Sequence, residues 1–302
     1  MYRNRIIITI TSVIFSTIIS LFAFIPITYS KNDASNWMKK IDDEKAFFSL
    51  SIPGTHDSAA LHSIADVAGK CQDLTIKEQL KCGVRFFDIR LQLRHNSLHA
   101  VHSFVDQDLL FDDIVNDFYK FLLKNPSETL LVSIKKDADD KNSTINFDQA
   151  LLSELQNYQT IIDKSNQLPQ TLGEARGKMY IISRTFSNIG IPAYSGWVDS
   201  DSFELNDFYI QDLYAVNTVE EKKLEIINAI NYAKNNTNKV VINFASCYLV
   251  NSFPPLYANT PANKINPWLT DYIIQCNHSI GIVLCDFITS ELSQAIYERN
   301  YI

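Results

Sequence analysis

The sequence Gly-Val-Arg-Phe-Phe-Asp-Ile-Arg occupies residues 83–90 and indicates the fold more clearly than any other stretch. Successive side chains of a β-strand point to opposite faces, so Asp88 and Arg90 would share one face of a strand formed here. Phe87 and Ile89 would lie on the other face, which is apolar, as a strand covered by helices requires. The stretch therefore predicts a buried parallel strand with charged side chains towards its C-terminal end.

Seven further apolar runs resemble the run at 83–91, and helical patterns separate many of them. The seven runs are 47–52, 97–102, 129–135, 178–184, 207–212, 239–246 and 280–286. The helical patterns cover 110–124, 148–158, 219–235 and 266–276. Eight strands alternating with helices predict an α/β fold, a single-domain (β/α)8 TIM-type barrel. The link at 92–96 is too short to hold a helix, so we expect this barrel to be irregular.

Polar residues stand at the ends of these runs. They are His56, Asp57, Asp88, Arg90, His102, Lys135, Arg184, Asp212 and Asp286, with Asn243 or Ser246 at the seventh run. A single Asp at a strand end is usually a turn residue or a helix N-cap. Caps do not explain two His, two Arg, one Lys and four Asp together. Barrels of this type have their active sites at the C-terminal mouth, so the pattern predicts an active site there.

The residue types indicate what chemistry this site performs. Two histidines with separate carboxylates are suited to general acid–base catalysis near neutral pH, because a carboxylate orients an imidazole and stabilises its cation. Arginine and lysine supply positive charge for a phosphoryl group. The sequence has neither a nucleophile elbow nor a P-loop. The combination favours cleavage of a phosphodiester by a hydroxyl of the substrate itself, without a metal.

The composition is that of a soluble globular protein, with 46% hydrophobic and 20% charged residues in 302. The net charge is −7 and becomes −9 without residues 1–30, because Arg3 and Arg5 are the only charged residues in that segment. Nucleic-acid binding requires a basic surplus to neutralise phosphates. We therefore expect no nucleic-acid partner.

The first thirty residues have the pattern of an export signal. Arg3 and Arg5 precede an uncharged apolar run at 6–27, and Thr28 and Ser30 are suitable residues at positions −3 and −1 of a cleavage site. The run is also long enough to span a bilayer as an uncleaved anchor. We expect residues 1–30 to be a signal peptide or signal anchor. In both cases we expect the barrel at 31–302 to be exported, either as a secreted protein or as a periplasmic or extracellular one.

Five cysteines remain after residue 30, at positions 71, 82, 247, 276 and 285. Their spacing matches no zinc motif. An odd number leaves at least one thiol outside any intramolecular disulfide. We expect small buried hydrophobic residues, and Cys71–Cys82 is the pair close enough in sequence to be considered as a disulfide.

Two motifs together resemble the catalytic domain of the phosphatidylinositol-specific phospholipases C, and most of all their small secreted bacterial members. They are Ser-Ile-Pro-Gly-Thr-His-Asp-Ser at 51–58 and Gly-Val-Arg-Phe-Phe-Asp-Ile-Arg at 83–90. Weaker matches follow in family order at 98–102, 125–136, 177–184, 209–214 and 281–286, so the resemblance covers roughly 45–290. It implies an irregular barrel that cleaves phosphatidylinositol to diacylglycerol and inositol 1,2-cyclic phosphate.

The resemblance also implies catalytic roles. His56 would be the general base on the inositol 2-hydroxyl, oriented by Asp286. His102 would be the general acid, paired with Asp57. The phosphate would be bound by Arg90, beside Asp88. The residues implied to line the inositol pocket are Lys135, Arg184, Asp212 and Tyr214, the last by stacking on the ring.

Residue 103 departs from the family pattern. The family usually has glycine directly after the second catalytic histidine, and this chain has Ser103. A Cβ there would narrow the loop or change its backbone angles on the leaving-group side. Calcium-dependent relatives carry extra acidic ligands near the phosphate, where this chain has Arg90. We therefore expect no metal and no other cofactor.

Contact with a membrane is expected at the barrel mouth, because a lipid headgroup must enter it while the acyl chains stay in the bilayer. The loops at 191–197 and 248–257 are unusually apolar. Aromatic rings favour the membrane interface, so Trp197 and Phe253 are the predicted membrane contacts. We expect a monomer that acts at the surface of membranes containing phosphatidylinositol.

Two other functions remain open from the sequence. One is a related phosphodiesterase that acts on another headgroup, because the pocket residues are assigned by resemblance. The other is a non-catalytic barrel that binds lipids or headgroups. Both histidines and their carboxylates are present, which weighs against the second alternative, since a binding protein has no need of an acid and a base.

Overall fold

The fold is built on a sheet of eleven strands, and the structure, a computed structural model, describes residues 34–63, 69–185, 189–251 and 258–302. The described residues contain these eleven strands and two more: β1 (Ile52–Thr55), β2 (Phe86–Arg94), β3 (Ser97–His102), β4 (Val105–Leu110), β5 (Leu130–Lys136), β6 (Met179–Arg184), β7 (Ile191–Pro192), β8 (Ser202–Leu205), β9 (Phe208–Gln211), β10 (Ala215–Val216), β11 (Val240–Phe244), β12 (Tyr248–Leu249) and β13 (Ile282–Cys285). The order in the sheet is β7-β6-β5-β2-β1-β13-β11-β9-β8, with β3 and β4 attached to β2 and with β10 and β12 forming a separate pair.

Seven α-helices lie between and after the strands in the part of the chain that the structure describes. They are α1 (Ile76–Cys82), α2 (Phe111–Lys124), α3 (Phe147–Leu155), α4 (Leu172–Ala175), α5 (Val219–Asn235), α6 (Asn259–Ile274) and α7 (Ser290–Tyr297). Among the residues that the structure describes, no helix is both long and apolar enough to cross a membrane. The predicted export segment at 1–30 lies outside the described residues.

The two faces of the strands carry two different hydrophobic clusters. Phe86 of β2 and Leu284 of β13 belong to the cluster inside the curved sheet. Phe87, which follows Phe86, and Val283, which precedes Leu284, belong to the cluster between the sheet and the helices. At Gly54 an added Cβ would lie 2.9 Å from the Leu284 side chain, so glycine permits close packing inside the sheet. The alternation predicted from the sequence is confirmed.

The structure confirms the irregular α/β barrel but corrects two of its predicted strands. Residues 47–49 form a 3-10 turn, and the first strand begins at Ile52, because Phe47 and Leu50 are buried in the inner cluster. The run at 97–102 is a strand, but it pairs antiparallel with β2 through a turn in which His95 and Asn96 have positive φ. Such a turn joins neighbouring antiparallel strands without a helix.

The eighth parallel strand of the sheet is therefore not the predicted run at 97–102. It is the short β7, which pairs with β6 by the register Ile182↔Ile191 and lies at one edge of the sheet. From β7 to β9 the eight neighbouring strands are all parallel. Within the described ranges no pairing joins β7 to β8, so the barrel is open on that side.

Candidate active site

A cavity of about 910 Å³ lies where the parallel strands end. Of the ten residues predicted for catalysis and headgroup binding, eight line this cavity: His56, Arg90, His102, Lys135, Arg184, Asp212, Tyr214 and Asp286. The other two, Asp57 and Asp88, are buried behind the wall and hydrogen-bonded to it. The structure therefore brings all ten side chains to one place.

A row of three cationic side chains crosses the floor of the cavity. Arg90 on β2 is the register partner of Lys135 on β5, and Lys135 is the partner of Arg184 on β6. Neighbouring parallel strands place partner residues side by side on one face. The three charges therefore come from adjacent strands, and together they form a site for an anionic group.

His56 is held between a carboxylate and a guanidinium. It follows β1, and its Nδ1 lies 2.7 Å from Oδ1 of Asp286, which follows the neighbouring strand β13. Its Nε2 lies 2.8 Å from Nη2 of Arg90. Arginine is always protonated and donates here, so His56 accepts at Nε2 and carries its proton on Nδ1. In this state Nε2 has no proton of its own. It can take one from a substrate hydroxyl that replaces the guanidinium as its hydrogen-bond partner.

His102 forms the second imidazole–carboxylate pair. Its Nδ1 lies 2.6 Å from Oδ2 of Asp57, a residue with a positive φ of 40° in the turn after β1. Burial of His102 disfavours the imidazolium, but the hydrogen bond and the charge of Asp57 outweigh it and raise the pKa of His102. A histidine with a raised pKa stays protonated to higher pH, as a general acid must.

The pH dependence of turnover tests this second pair. We expect Asp57→Asn to move the alkaline limb of kcat/KM to lower pH, because burial and Arg90 then lower the pKa of His102 against only the smaller effect of Asp137. The direction of this shift follows from the predicted role of His102 as a general acid. Such an acid is active when it is protonated, so activity is lost as the pH rises through its pKa. The pH profiles of the two proteins should be measured with a soluble substrate. An alkaline limb at the same pH in both would mean that another group is the acid.

Asp88 fixes the guanidinium of Arg90. Its Oδ2 accepts a hydrogen bond of 3.1 Å from Arg90 Nε, and Arg184 lies 3.6 Å from its Oδ1. Burial favours the neutral carboxyl, but the charges of Arg90 and Arg184 outweigh it and lower the pKa of Asp88. Desolvation lowers the pKa of the partly buried Arg90, but the charge of Asp88 outweighs it and raises that pKa well above its usual value. Arg90 is therefore a permanent and rigidly oriented cation.

Trp197 is half-buried and packs against two predicted headgroup residues, while its predicted membrane contact stays a prediction. Its indole ring stacks on the guanidinium of Arg184, with 3.7 Å between the guanidinium carbon and the ring centroid. Its Nε1 donates to Oδ2 of Asp212 over 2.9 Å, and the ring also packs edge-on against Phe203 and Phe244. These contacts orient two predicted headgroup residues. The other predicted membrane contact, Phe253, lies outside the described residues.

Asp137 is a site residue that the sequence analysis missed. It lines the cavity, lies 2.7 Å from Nζ of Lys135, and accepts a 2.8 Å hydrogen bond from the backbone N–H of Ser103. Ser103 has a φ of 53°, the conformation that a glycine adopts without strain, so the serine keeps the backbone shape expected of glycine. Asp137 stands two residues after Lys135, so the strand period is the signal that could have indicated it.

A buried lysine supports the segment that carries Asp212 and Tyr214. Nζ of Lys222 donates to the backbone oxygen of Leu213 over 2.6 Å and to Oε1 of Gln211 over 2.9 Å. Leu213 stands between the two predicted headgroup residues. The first turn of α5 therefore fixes the backbone at the end of β9, and nothing in the sequence distinguished this lysine from a surface one.

The cysteines form no disulfide in this structure. All five lie in the described ranges, and all are free and buried. The prediction of small buried residues is confirmed, and the suggested Cys71–Cys82 bond is wrong, because Cys82 ends helix α1 with its thiol near Ser290 and Ser293 while Cys71 lines the cavity.

Comparisons with known proteins agree with this geometry. Residues 50–185 match the model of the phosphatidylinositol-specific phospholipase C X domain. A 1-phosphatidylinositol phosphodiesterase of Staphylococcus aureus strain Newman is 31% identical over 236 residues, which are 70% of this chain and 74% of that protein. One of Listeria monocytogenes is 26% identical over 275 residues, which are 87% and 84% of the two chains.

Solved structures show the same fold. A structure of a mutant phosphatidylinositol-specific phospholipase C from Staphylococcus aureus superposes with a TM-score of 0.77, at 27% identity, over 87% of this chain and 96% of that one. The enzyme from Listeria monocytogenes superposes with a TM-score of 0.74, at 23% identity, over 88% and 98% of the two chains. From the matched domain, the curated relatives and the shared barrel, this chain belongs to the family of phosphatidylinositol-specific phospholipases C, beside its bacterial members.

Proposed function

We propose that this chain is a phosphatidylinositol-specific phospholipase C that works without a metal ion and releases diacylglycerol and inositol 1,2-cyclic phosphate. The observation that carries the proposal is the arrangement of two imidazole–carboxylate pairs around one cationic cavity. His56 with Asp286 and His102 with Asp57 supply a base and an acid, and Arg90 stands beside both pairs. A protein that only binds a headgroup needs neither proton transfer.

The first step is attack by the inositol 2-hydroxyl on the phosphorus atom. Nε2 of His56 takes the hydroxyl proton, and Asp286 stabilises the imidazolium that forms. The phosphate replaces His56 as a partner of Arg90, whose guanidinium neutralises the charge that builds on the phosphate oxygens. A new bond forms between the inositol oxygen and phosphorus.

The second step is departure of the glycerol oxygen. His102 gives its proton to this oxygen as the bond to phosphorus breaks, so diacylglycerol leaves as a neutral alcohol. His102 remains as a neutral imidazole, and proton exchange with solvent restores both histidines. The base and the acid each contribute about 10²- to 10⁴-fold to reactions of this kind.

Headgroup recognition is assigned to the cationic and aromatic side of the cavity. Arg184 and Asp212 present a donor and an acceptor, and Trp197 orients both of them. Tyr214 is placed by a 2.6 Å hydrogen bond from its hydroxyl to Asp199, which leaves its ring as a stacking surface beside the cavity. Lys135 completes the set.

Substrate specificity and metal independence are tested in a single assay. The purified protein should cleave phosphatidylinositol at least about 10²-fold faster than phosphatidylcholine, with equal rates in EDTA and in buffer without it. Cleavage of both lipids at similar rates would favour a phosphodiesterase for other headgroups. Binding of phosphatidylinositol vesicles without any cleavage would favour a non-catalytic barrel.

We place its action outside the cytoplasm, at the surface of membranes containing phosphatidylinositol. The basic and apolar pattern at 3–27 supports export. The described residue that best fits membrane insertion is Phe104, which is 76% exposed in the turn directly after His102 and Ser103. An exposed ring beside the general acid would enter the lipid where diacylglycerol leaves.

Phe104 gives this membrane contact a direct test. We expect Phe104→Ser to weaken binding to phosphatidylinositol vesicles by about tenfold or more, since burying a Phe side chain contributes about 1.5–3 kcal/mol. Cleavage of a soluble inositol phosphodiester should be unchanged. Vesicle sedimentation and a soluble assay measure the two effects.

Two variants provide matched controls for Phe104. Leu123→Ser removes an apolar residue that is 59% exposed on the last turn of α2, which leads to the opposite end of β5, and vesicle binding should be unchanged. Trp197→Ala, unlike Phe104→Ser, should slow cleavage of the soluble substrate, because Trp197 orients Arg184 and Asp212. Unchanged vesicle binding by Phe104→Ser would remove this turn from the membrane contact.

A further inference from the structure

Cys71 lies between the two imidazole–carboxylate pairs and has no part in the reaction described above. Its side chain is 2% exposed and contributes to the cavity wall. Its backbone N–H donates to Ala60 and its carbonyl accepts from Phe287, so the loops after β1 and β13 hold it in place. The thiol is therefore fixed in the wall of the cavity, next to both pairs.

Ligand atoms for a metal ion converge around this thiol. Cys71, His56 and Asp286 form one group of three ligand atoms that lie within 4.8 Å of one another, and Cys71, Asp57 and His102 form a second group. Sulfur, imidazole nitrogen and carboxylate oxygen are the ligands of zinc in proteins. A thiolate ligand also favours Zn²⁺ over Mg²⁺ and Ca²⁺, which prefer oxygen.

A second observation distinguishes between the two groups. Asp57 is fully buried, and although its Oδ2 pairs with His102, its Oδ1 has no hydrogen-bond partner among the described residues. A buried carboxylate oxygen without a partner is costly unless something is bound to it. Arg90 repels a cation more strongly at the other group, because its guanidinium lies 2.8 Å from His56 and 3.8 Å from Asp57. The group of Asp57, Cys71 and His102 is therefore the better site.

We propose that Asp57, Cys71 and His102 form an inhibitory site for a thiophilic divalent cation such as Zn²⁺. The cation replaces two protons, one on the Cys71 thiol and one on Nδ1 of His102, and both are released to solvent. Sγ of Cys71 lies 3.8 Å from that Nδ1, so small movements bring the ligands together. Water or a substrate oxygen completes the coordination.

Occupation of this site stops the proposed reaction at its second step. With the cation on Nδ1, His102 can no longer exist as an imidazolium paired with Asp57, and the glycerol oxygen receives no proton. This consequence for turnover rests on the proposed function, whereas cation binding itself does not. Ca²⁺ and Mg²⁺ should have no such effect, because neither binds well to a thiolate.

The test uses the purified chain and two cysteine variants. Cys71→Ser removes the sulfur ligand, and Cys247→Ser is the matched control, because Cys247 is also buried, free and part of the cavity wall but belongs to neither ligand group. Each protein is titrated with Zn²⁺ or Mg²⁺ on a soluble inositol phosphodiester and compared with its own rate in EDTA. Binding is measured separately with Co²⁺, through the thiolate-to-cobalt charge-transfer band, without substrate.

We expect Zn²⁺ to inhibit the wild type and Cys247→Ser reversibly, with full recovery in EDTA, and Mg²⁺ to have no effect. Cys71→Ser should need at least about tenfold more Zn²⁺, since smaller changes around a metal site already cost 10–100-fold in affinity. Equal sensitivity of all three proteins, or a charge-transfer band that persists in Cys71→Ser, would overturn the proposal. The Co²⁺ measurement remains decisive even if the chain cleaves no inositol lipid.

Discussion

We expect His102→Ala to lower kcat on phosphatidylinositol by about 10²- to 10⁴-fold, the range that a general acid contributes. The same loss is expected for His56→Ala, because each histidine is paired with its own carboxylate and neither can replace the other. His56 is fixed to Asp286 at 2.7 Å and His102 to Asp57 at 2.6 Å. Steady-state rates in EDTA measure both losses.

The leaving group separates the two roles. A substrate whose glycerol is replaced by an acidic phenol needs little protonation when the bond to phosphorus breaks. His102→Ala should therefore recover most of its activity on that substrate, whereas His56→Ala should stay inactive, because the 2-hydroxyl must still lose a proton. Recovery by His56→Ala instead would reverse the assignment, and recovery by neither would remove His102 as the acid.

The second large effect is expected at Arg90. We expect Arg90→Lys to lower kcat/KM by about 10²- to 10³-fold or more, the cost of losing a donor to a developing oxyanion. A lysine keeps the charge, but a point charge cannot donate to Asp88 and to a phosphate oxygen in the geometry of a guanidinium. The loss should appear with soluble and vesicle substrates alike.

Arg94→Lys is the matched control for this variant. Arg94 ends the same strand β2 and pairs with Asp106 on the β3–β4 hairpin, outside the cavity. We expect its turnover to stay within about twofold of the wild type, because Arg94 lies outside the cavity and a lysine keeps the charge that pairs with Asp106. Near-normal activity of Arg90→Lys would contradict the role of Arg90 and with it the metal-independent mechanism.

The strand period explains why so much of the site was predictable. Asp88 and Arg90 alternate with Phe87 and Ile89, and this alternation by itself indicates which side chains face the inside of the barrel. The C-terminal ends of parallel strands lie at one edge, so residues distant in sequence, such as His56 and Asp286, could be expected to meet. Their roles in catalysis remain predictions that the variants above test.

Loops and strand partners could not be predicted in the same way. The run at 97–102 has the pattern of a strand, but the pattern does not tell whether its partner runs parallel or antiparallel. Trp197 was predicted only as a membrane contact, because it lies in an apolar loop, and its contacts with Asp212 and Arg184 were not predicted. Burial against a charged group is a property of the folded chain, and the local sequence carries no signal of it.

The identity of the first phosphorus product tests the central claim most directly. Cleavage of phosphatidylinositol by the purified chain in EDTA should be followed by ³¹P NMR from the first minutes. If the inositol 2-hydroxyl is the nucleophile, inositol 1,2-cyclic phosphate appears first, together with diacylglycerol, and any inositol 1-phosphate arises from it later. Appearance of inositol 1-phosphate from the start, with no cyclic intermediate, would mean that water attacks phosphorus and would contradict the mechanism.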